Sequence, residues 1–137
     1  METQIAIAQN KAIAGGLTPG DTAGFPITLT QPGRYVLTSN LYPPPNVHGI
    51  EIEAFDVTID LNGFLLQGGG LARFGIIGKE VHTVSIQNGT IALFDGAGIL
   101  GGNSWTVENM RISVNGDSGI RLGQFGRVKK YPYPQQL

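Results

Sequence analysis

The sequence predicts an all-β chain, a right-handed parallel β-helix of about four coils with an N-terminal β-hairpin cap. Three observations predict it. First, Val84-Ser-Ile-Gln-Asn-Gly-Thr-Ile-Ala-Leu93 aligns without a gap on Trp105-Thr-Val-Glu-Asn-Met-Arg-Ile-Ser-Val114 at an offset of 21 residues, and the same offset carries Gly98-Ile99 onto Gly119-Ile120. Self-similarity at a fixed short period marks a stack of like units. Second, the repeated stretches alternate apolar and polar residues at period 2, the pattern of a half-buried strand. Third, the 21 glycines and the recurrent Asn-Gly and Asp-Gly steps divide the chain into short strands and turns.

The elements follow in chain order. Residues 1–24 form an N-terminal arm. Met1–Asn10 reads as a short helix or a loose arm, because alanine favours helix and Gly15, Gly16, Pro19 and Gly20 stop it. Residues 25–45 form the cap: Phe25–Leu29 alternates as one strand, Gln31-Pro-Gly-Arg34 is a turn, and Tyr35–Leu41 returns as a second strand. Pairing the two would cover the open start of the stack, which a solenoid needs. Pro43-Pro-Pro45 is a stiff extended spacer.

Residues 46–128 hold the coils. Gly-Ile steps at 49, 75, 98 and 119 mark their starts, at spacings of 26, 23 and 21 residues. Insertions in turns, such as Gly68-Gly-Gly70, absorb the difference. Each coil reads as three short strands, and each strand pairs with its equivalent one coil later, about 4.8 Å away. Like residues then stack in columns. Ile50, Ile76, Ile99 and Ile120 form one inward column; Ile59, Ile86, Val107 and Val128 form another; Ile91 and Ile112, and Leu93 and Val114, form further pairs. Trp105 replaces the inward Val84 and is assigned to the core. Asn62, Asn88 and Asn109 occupy one turn in successive coils. They predict a hydrogen-bonded ladder, since Asn tolerates the left-handed backbone of a sharp turn. Glu108 and Lys129 share an outward column and predict a weak cross-coil ion pair. Residues 129–137 are a tail whose Pro132 and Pro134 break the strand pattern.

Composition bounds the function. The chain has 137 residues, enough for one domain with a real core. Its net charge of −1 lacks the basic footprint of a nucleic-acid binder. There is no cysteine, and no apolar run long enough for a membrane span. Met1–Gly16 lacks the basic start and unbroken apolar centre of a signal peptide, which leaves the compartment open. His48 and His82 lie outside the columns and lack the spacing of a zinc site. No cofactor or metal is expected.

The stretches Phe25-Pro-Ile-Thr-Leu29 with Gln31-Pro-Gly-Arg-Tyr35, Val57-Thr-Ile-Asp-Leu-Asn-Gly-Phe64 and Val84-Ser-Ile-Gln-Asn-Gly-Thr-Ile91 resemble bacterial right-handed β-helix repeat proteins of the pectate-lyase-like superfamily. The resemblance covers about residues 20–123. It implies the fold. It also implies a range of activities, since the superfamily includes polysaccharide lyases, glycoside hydrolases, epimerases, phage tailspikes and adhesins. Asp60, Asp95, Glu108 and Asp117 are the acids that sugar chemistry of this kind could use, but they fall on different strands and turns. Arg111 and Arg121 point outward by alternation. Arg111, Arg121, Asp117 and Asp95 are therefore the candidate ligand-binding residues, and no catalytic residue is assigned.

The column Glu51, Ile77, Leu100 and Arg121 should also face outward, yet its two middle members are apolar. An exposed apolar stripe signals a partner surface. Ile77 and Leu100, with Tyr131 and Tyr133 of the tail, are the candidate oligomer interface. The favoured reading is a non-catalytic module that associates as a homo-oligomer, dimer or trimer, and presents a surface to a polysaccharide or a protein. The alternative, a polysaccharide lyase or glycoside hydrolase, rests on the resemblance alone.

Overall fold

The computed structural model describes residues 4–78, 80–113 and 115–129. In chain order these form β1 (Gln4–Ile7), α1 (Gln9–Ala14), β2 (Ile27–Leu29), β3 (Gly33–Leu37), β4 (Ile50–Ile52), β5 (Val57–Asp60), β6 (Leu65–Gln67), β7 (Ile76–Gly78), β8 (Val84–Ala92), β9 (Ile99–Gly101), β10 (Trp105–Ser113), β11 (Ile120–Arg121) and β12 (Arg127–Lys129). They wind into a parallel β-solenoid of about four turns with three faces. The first face stacks β2, β4, β7, β9 and β11; the second stacks β1, β3, β5, β8, β10 and β12. The third face joins Leu41, β6 and the later halves of β8 and β10.

Alternation decides which side chains enter the stack, because successive residues of a strand point to opposite faces. The register sets Ile27, Ile50, Ile76, Ile99 and Ile120 one over another. It does the same for Tyr35, Ile59, Ile86, Val107 and Val128. On the third face Leu66, Ile91 and Ile112 form the matching column. Ile50, Ile59, Ile76, Ile86 and Ile99 are fully buried, and so is Trp105. Both predicted Ile/Val columns are therefore present, the first extended at its start by Ile27 and the second by Tyr35 and, before it, Ile5. The proposed Leu93–Val114 pair involves a residue outside those described.

The Gly-Ile landmark has a physical reason. A Cβ added at Gly49 would meet the Gly75 carbonyl oxygen at 2.6 Å; at Gly75 it would meet that of Gly98, and at Gly98 that of Gly119 at 2.9 Å. Successive coils touch backbone to backbone at this corner, which excludes any side chain there.

The asparagine corner has the expected backbone, but only two of its three side chains join the ladder. Asn62, Asn88 and Asn109 have φ of 53°, 66° and 50°, in the left-handed region that Asn tolerates better than most residues. The turn predicted at Asn88-Gly89 is only this one-residue bend, and β8 and β10 continue through it with pairing kept on both sides. Asn109 Nδ2 donates to Asn88 Oδ1 (2.9 Å), and Asn88 Nδ2 donates to Asp60 Oδ1 (3.3 Å). Arg34 closes the row with a 3.0 Å ion pair to Asp60 Oδ2. Asn62 is left out of the row; its Nδ2 turns to the Leu37 carbonyl (3.4 Å). Asp60 is thus committed to holding the corner.

Two expectations at the start of the chain are corrected. The stretch 25–41 is not a hairpin cap. β2 pairs in parallel with β4, and β3 pairs in parallel with β5, on different faces. The corner of the first coil is residues 30–32, and Gly33 and Arg34 of the predicted turn already open β3; alternation alone cannot distinguish such a corner from a hairpin turn. Closure comes from before it. Gln4–Ile7, expected as helix or arm, is a strand that covers the edge of β3. The short α1 follows and buries Ala12. The edge of β2 is met by side chains: Thr28 N–H donates to Asp21 Oδ1 (2.9 Å), Thr18 Oγ1 donates to the Thr28 carbonyl (2.7 Å) and accepts the Thr30 N–H (3.1 Å). Both polar residues are buried, and an open strand edge is thereby occupied.

At the other end, Glu108 and Lys129 are register neighbours. They form no ion pair among those of the described residues, in keeping with how little an exposed pair gains. Tyr131 and Tyr133 lie outside the described residues.

Candidate functional site

The outward row of the first face reads Thr28, Glu51, Ile77, Leu100 and Arg121 in register. Its predicted direction is correct, and Ile77 and Leu100 are half-buried rather than fully exposed. A groove of about 780 Å3 opens over this row at β4 and β7 and runs to the corner with the second face. Its apolar surface comes from Ile77, Ala54, Phe55 and Val81, and its charges from Glu51, Glu53 and Glu80.

Local sequence explains the shape. In β4, Ile50 and Ile52 turn inward, so Glu51 points out, and Glu53, the first residue after the strand, is exposed and also lines the groove. Four residues, 53–56, then turn the chain into β5, and five, 79–83, join β7 to β8; the equivalent link after β9 has only three, 102–104. Glu53, Ala54, Phe55, Glu80 and Val81 of these longer links form one wall of the groove. Phe55, 48% exposed, stands on it and stacks on His82 of the next coil, with centroids 4.2 Å apart and planes 10° from parallel. The core holds this wall from inside, because buried Trp105 donates its indole N–H to the Val81 carbonyl (2.9 Å).

Burial shapes the charges. The Glu51 carboxyl is pushed up, first by desolvation and then by the negative charge of Glu53. His48 approaches Glu51, Nε2 to Oε1 3.8 Å, yet its own value is lowered, by desolvation and then by Arg73. An effective ion pair would move both groups the other way. Desolvation therefore outweighs this long contact, and His48 instead stacks on Phe74 and accepts the Phe74 N–H at Nδ1 (3.3 Å).

The residues predicted for ligand binding are only partly brought together. Arg121 and Asp117 form an exposed pair at 3.7 Å, with Arg121 Nε also donating to Ser118 Oγ (3.1 Å). Asp95 lies at the corner one coil earlier, where its N–H donates to the Ala72 carbonyl (2.7 Å). Arg111 sits on the third face, opposite Thr90. None of the four lines the groove. Sequence reasoning passed over Phe55, Glu53 and Glu80, and weighed His82 only as a metal ligand. Alternation through Glu51, Glu53 and Phe55 carried a signal for the first two of these, but the stack on His82 depends on corner lengths that no period reveals.

Among the described residues no group of three His, Cys, Asp or Glu side chains is arranged to hold a metal ion. No helix among them is long and apolar enough to cross a membrane. The fold defines the class, a parallel β-solenoid. Comparison of the chain with protein-family models, curated proteins and solved structures gives no match.

Proposed function

We propose that the chain is a non-catalytic β-solenoid module, of the pectate-lyase-like kind that its motifs resemble, which binds a glycan in the groove over β4 and β7. The supporting observation is the ring of Phe55, exposed and steadied by His82 above an apolar floor with carboxylates beside it. A flat aromatic ring beside a few well-placed polar groups is what a sugar needs: the ring takes its C–H face and the carboxylates accept its hydroxyl hydrogens. The same face supplies the contact for a homo-oligomer, because the apolar row continues from Ile77 to half-buried Leu100, beyond the groove.

A second reading, a glycoside hydrolase or polysaccharide lyase, draws on Glu51. A carboxyl raised by burial is the state a general acid requires. Against it, Glu51 and Glu53 lie two residues apart in one coil, close enough for the charge of Glu53 to raise the Glu51 carboxyl, whereas glycosidases set two carboxylates on opposite sides of the bond.

The test is a panel of neutral, acidic and amino-bearing oligosaccharides, followed by chemical-shift mapping and by product analysis with and without calcium. The expected result is binding by at least one class, shifts centred on Phe55 and His82, loss of binding in Phe55→Ala, and no cleavage. Turnover of any member establishes the enzyme instead. A panel in which nothing perturbs Phe55 or His82 removes the glycan reading.

A further inference from the structure

We propose that the groove over β4 and β7 selects a glycan with free amino groups, of the hexosamine class, seating a sugar face on Phe55 and ammonium groups among Glu51, Glu53 and Glu80. This rests on the glycan-binding reading above and adds a ligand class to it. Three carboxylates line the groove, and no lysine or arginine is among its described lining residues. Acidic residues alone would name no ligand. Here they share one concavity of about 780 Å3 with a fixed, exposed ring and an apolar floor, so charge and stacking act on one molecule.

The carboxylates that line the groove oppose an acidic glycan. A polyuronate would bring its carboxylates against those of the groove, and like charges at contact distance repel strongly once partly desolvated. A neutral sugar would bind the ring but leave the acids unneutralised. The raised Glu51 carboxyl fits this occupant: burial and Glu53 disfavour its charge, and the positive charge of an incoming ammonium offsets both. His48, drawn towards its neutral form, does not supply that cation.

Topology favours a sugar over an extended peptide. β4 is bonded on one side to β2 and on the other to β7, and β7 is bonded to β4 and β9. The floor is therefore a sheet face with no free edge, and a peptide that docks by strand addition needs an edge. Recognition must come from side chains. Glu51 and Glu53 belong to one coil and Glu80 to the next, and coils repeat at about 4.8 Å, a step comparable to one sugar residue.

The full chain is titrated by calorimetry with four probes: a de-N-acetylated glucosamine tetramer, its N-acetylated counterpart, a galacturonate tetramer and a lysine tetramer. The amino-sugar tetramer is expected to bind best, to weaken with added salt, to lose about tenfold in affinity in each of Glu53→Gln and Glu80→Gln, and to fail with Phe55→Ala. Unchanged circular dichroism shows that the variants remain folded. Equal binding of the N-acetylated tetramer, indifferent to Glu53→Gln, overturns the amino-sugar assignment and leaves the glycan reading standing. Binding of none of the three sugars overturns both. A lysine tetramer that binds as tightly as the amino sugar, and binds Phe55→Ala equally well, reveals a simple acidic patch and overturns the proposal.

Discussion

The two sides of the first face obey different rules. Inward, the column is isoleucine five times over, Ile27, Ile50, Ile76, Ile99 and Ile120; outward, the neighbouring positions run Thr28, Glu51, Ile77, Leu100 and Arg121. The backbone register is identical for both rows, so the contrast comes from surroundings alone. Inside, each residue must fill the space above its equivalent at close-packed density, and one shape repeats. Outside, packing imposes no such demand, and the residues are free to differ. What an invariant column teaches is the fold; what the varied column teaches is the use made of one face.

Substitution at adjacent positions of β7 tests this contrast with the largest effect. Ile76→Ala opens a cavity between Ile50 and Ile99 and is expected to destabilise by about 2–5 kcal/mol. Ile77→Ala, one residue on but on the half-buried outer side, is expected to change stability by about 1 kcal/mol or less. Urea unfolding of the two variants measures the difference. Equal losses would show that the outer row is part of the core and that the groove floor is structural.

The same contrast explains what the sequence revealed. The inward columns and their register were legible because stacking repeats residue types at a fixed period, and Val84–Leu93 over Trp105–Val114 displays that period directly. The asparagine corner was legible for the same reason, although Asp60 and Arg34 entered its row without any repeat to announce them. The start of the chain was not legible. Gln4–Ile7 has no equivalent at the repeat spacing, and the capture of β2 by Asp21 and Thr18 is a single, unrepeated solution. The candidate site was the least legible of all. The outward row was foreseen, including Glu51 and Ile77, but the groove arises from the unequal corners 53–56 and 79–83, and a periodic pattern carries no record of where it is interrupted.

Leu100→Lys probes the outer row without touching the inner one. Leu100 is half-buried within the chain and lies in register between Ile77 and Arg121. If the apolar row joins two copies, a lysine places a charge in the contact, which costs far more in an interface than at a wet surface. Light scattering should move from a dimer or trimer towards monomer, while thermal stability of the subunit changes by no more than about 0.5 kcal/mol. A parent chain that is already monomeric at high concentration removes self-association and leaves the groove as the sole use of this face.

The smallest expected effect is a pH dependence written into Glu51. Its folded carboxyl is raised above the ordinary value of 4.5, so between these two values the folded chain holds more proton than the unfolded chain. Stability must therefore fall as pH rises through that window, and the loss is complete above the folded value. Glu51→Gln has no such proton to lose. Its stability relative to the parent should grow from pH 4.5 upward and then level off. His48 works in the opposite sense. Its folded value lies below 6.5, so the unfolded chain takes up more proton as pH falls through 6.5, and stability drops on that acid side in parent and variant alike. Denaturation midpoints measured across pH 4 to 8 separate the two groups, because only the Glu51 contribution vanishes in Glu51→Gln. A difference curve flat across the whole range would mean that Glu51 is as well solvated as an ordinary surface acid. The outer row would then carry no desolvated charge for a ligand to relieve.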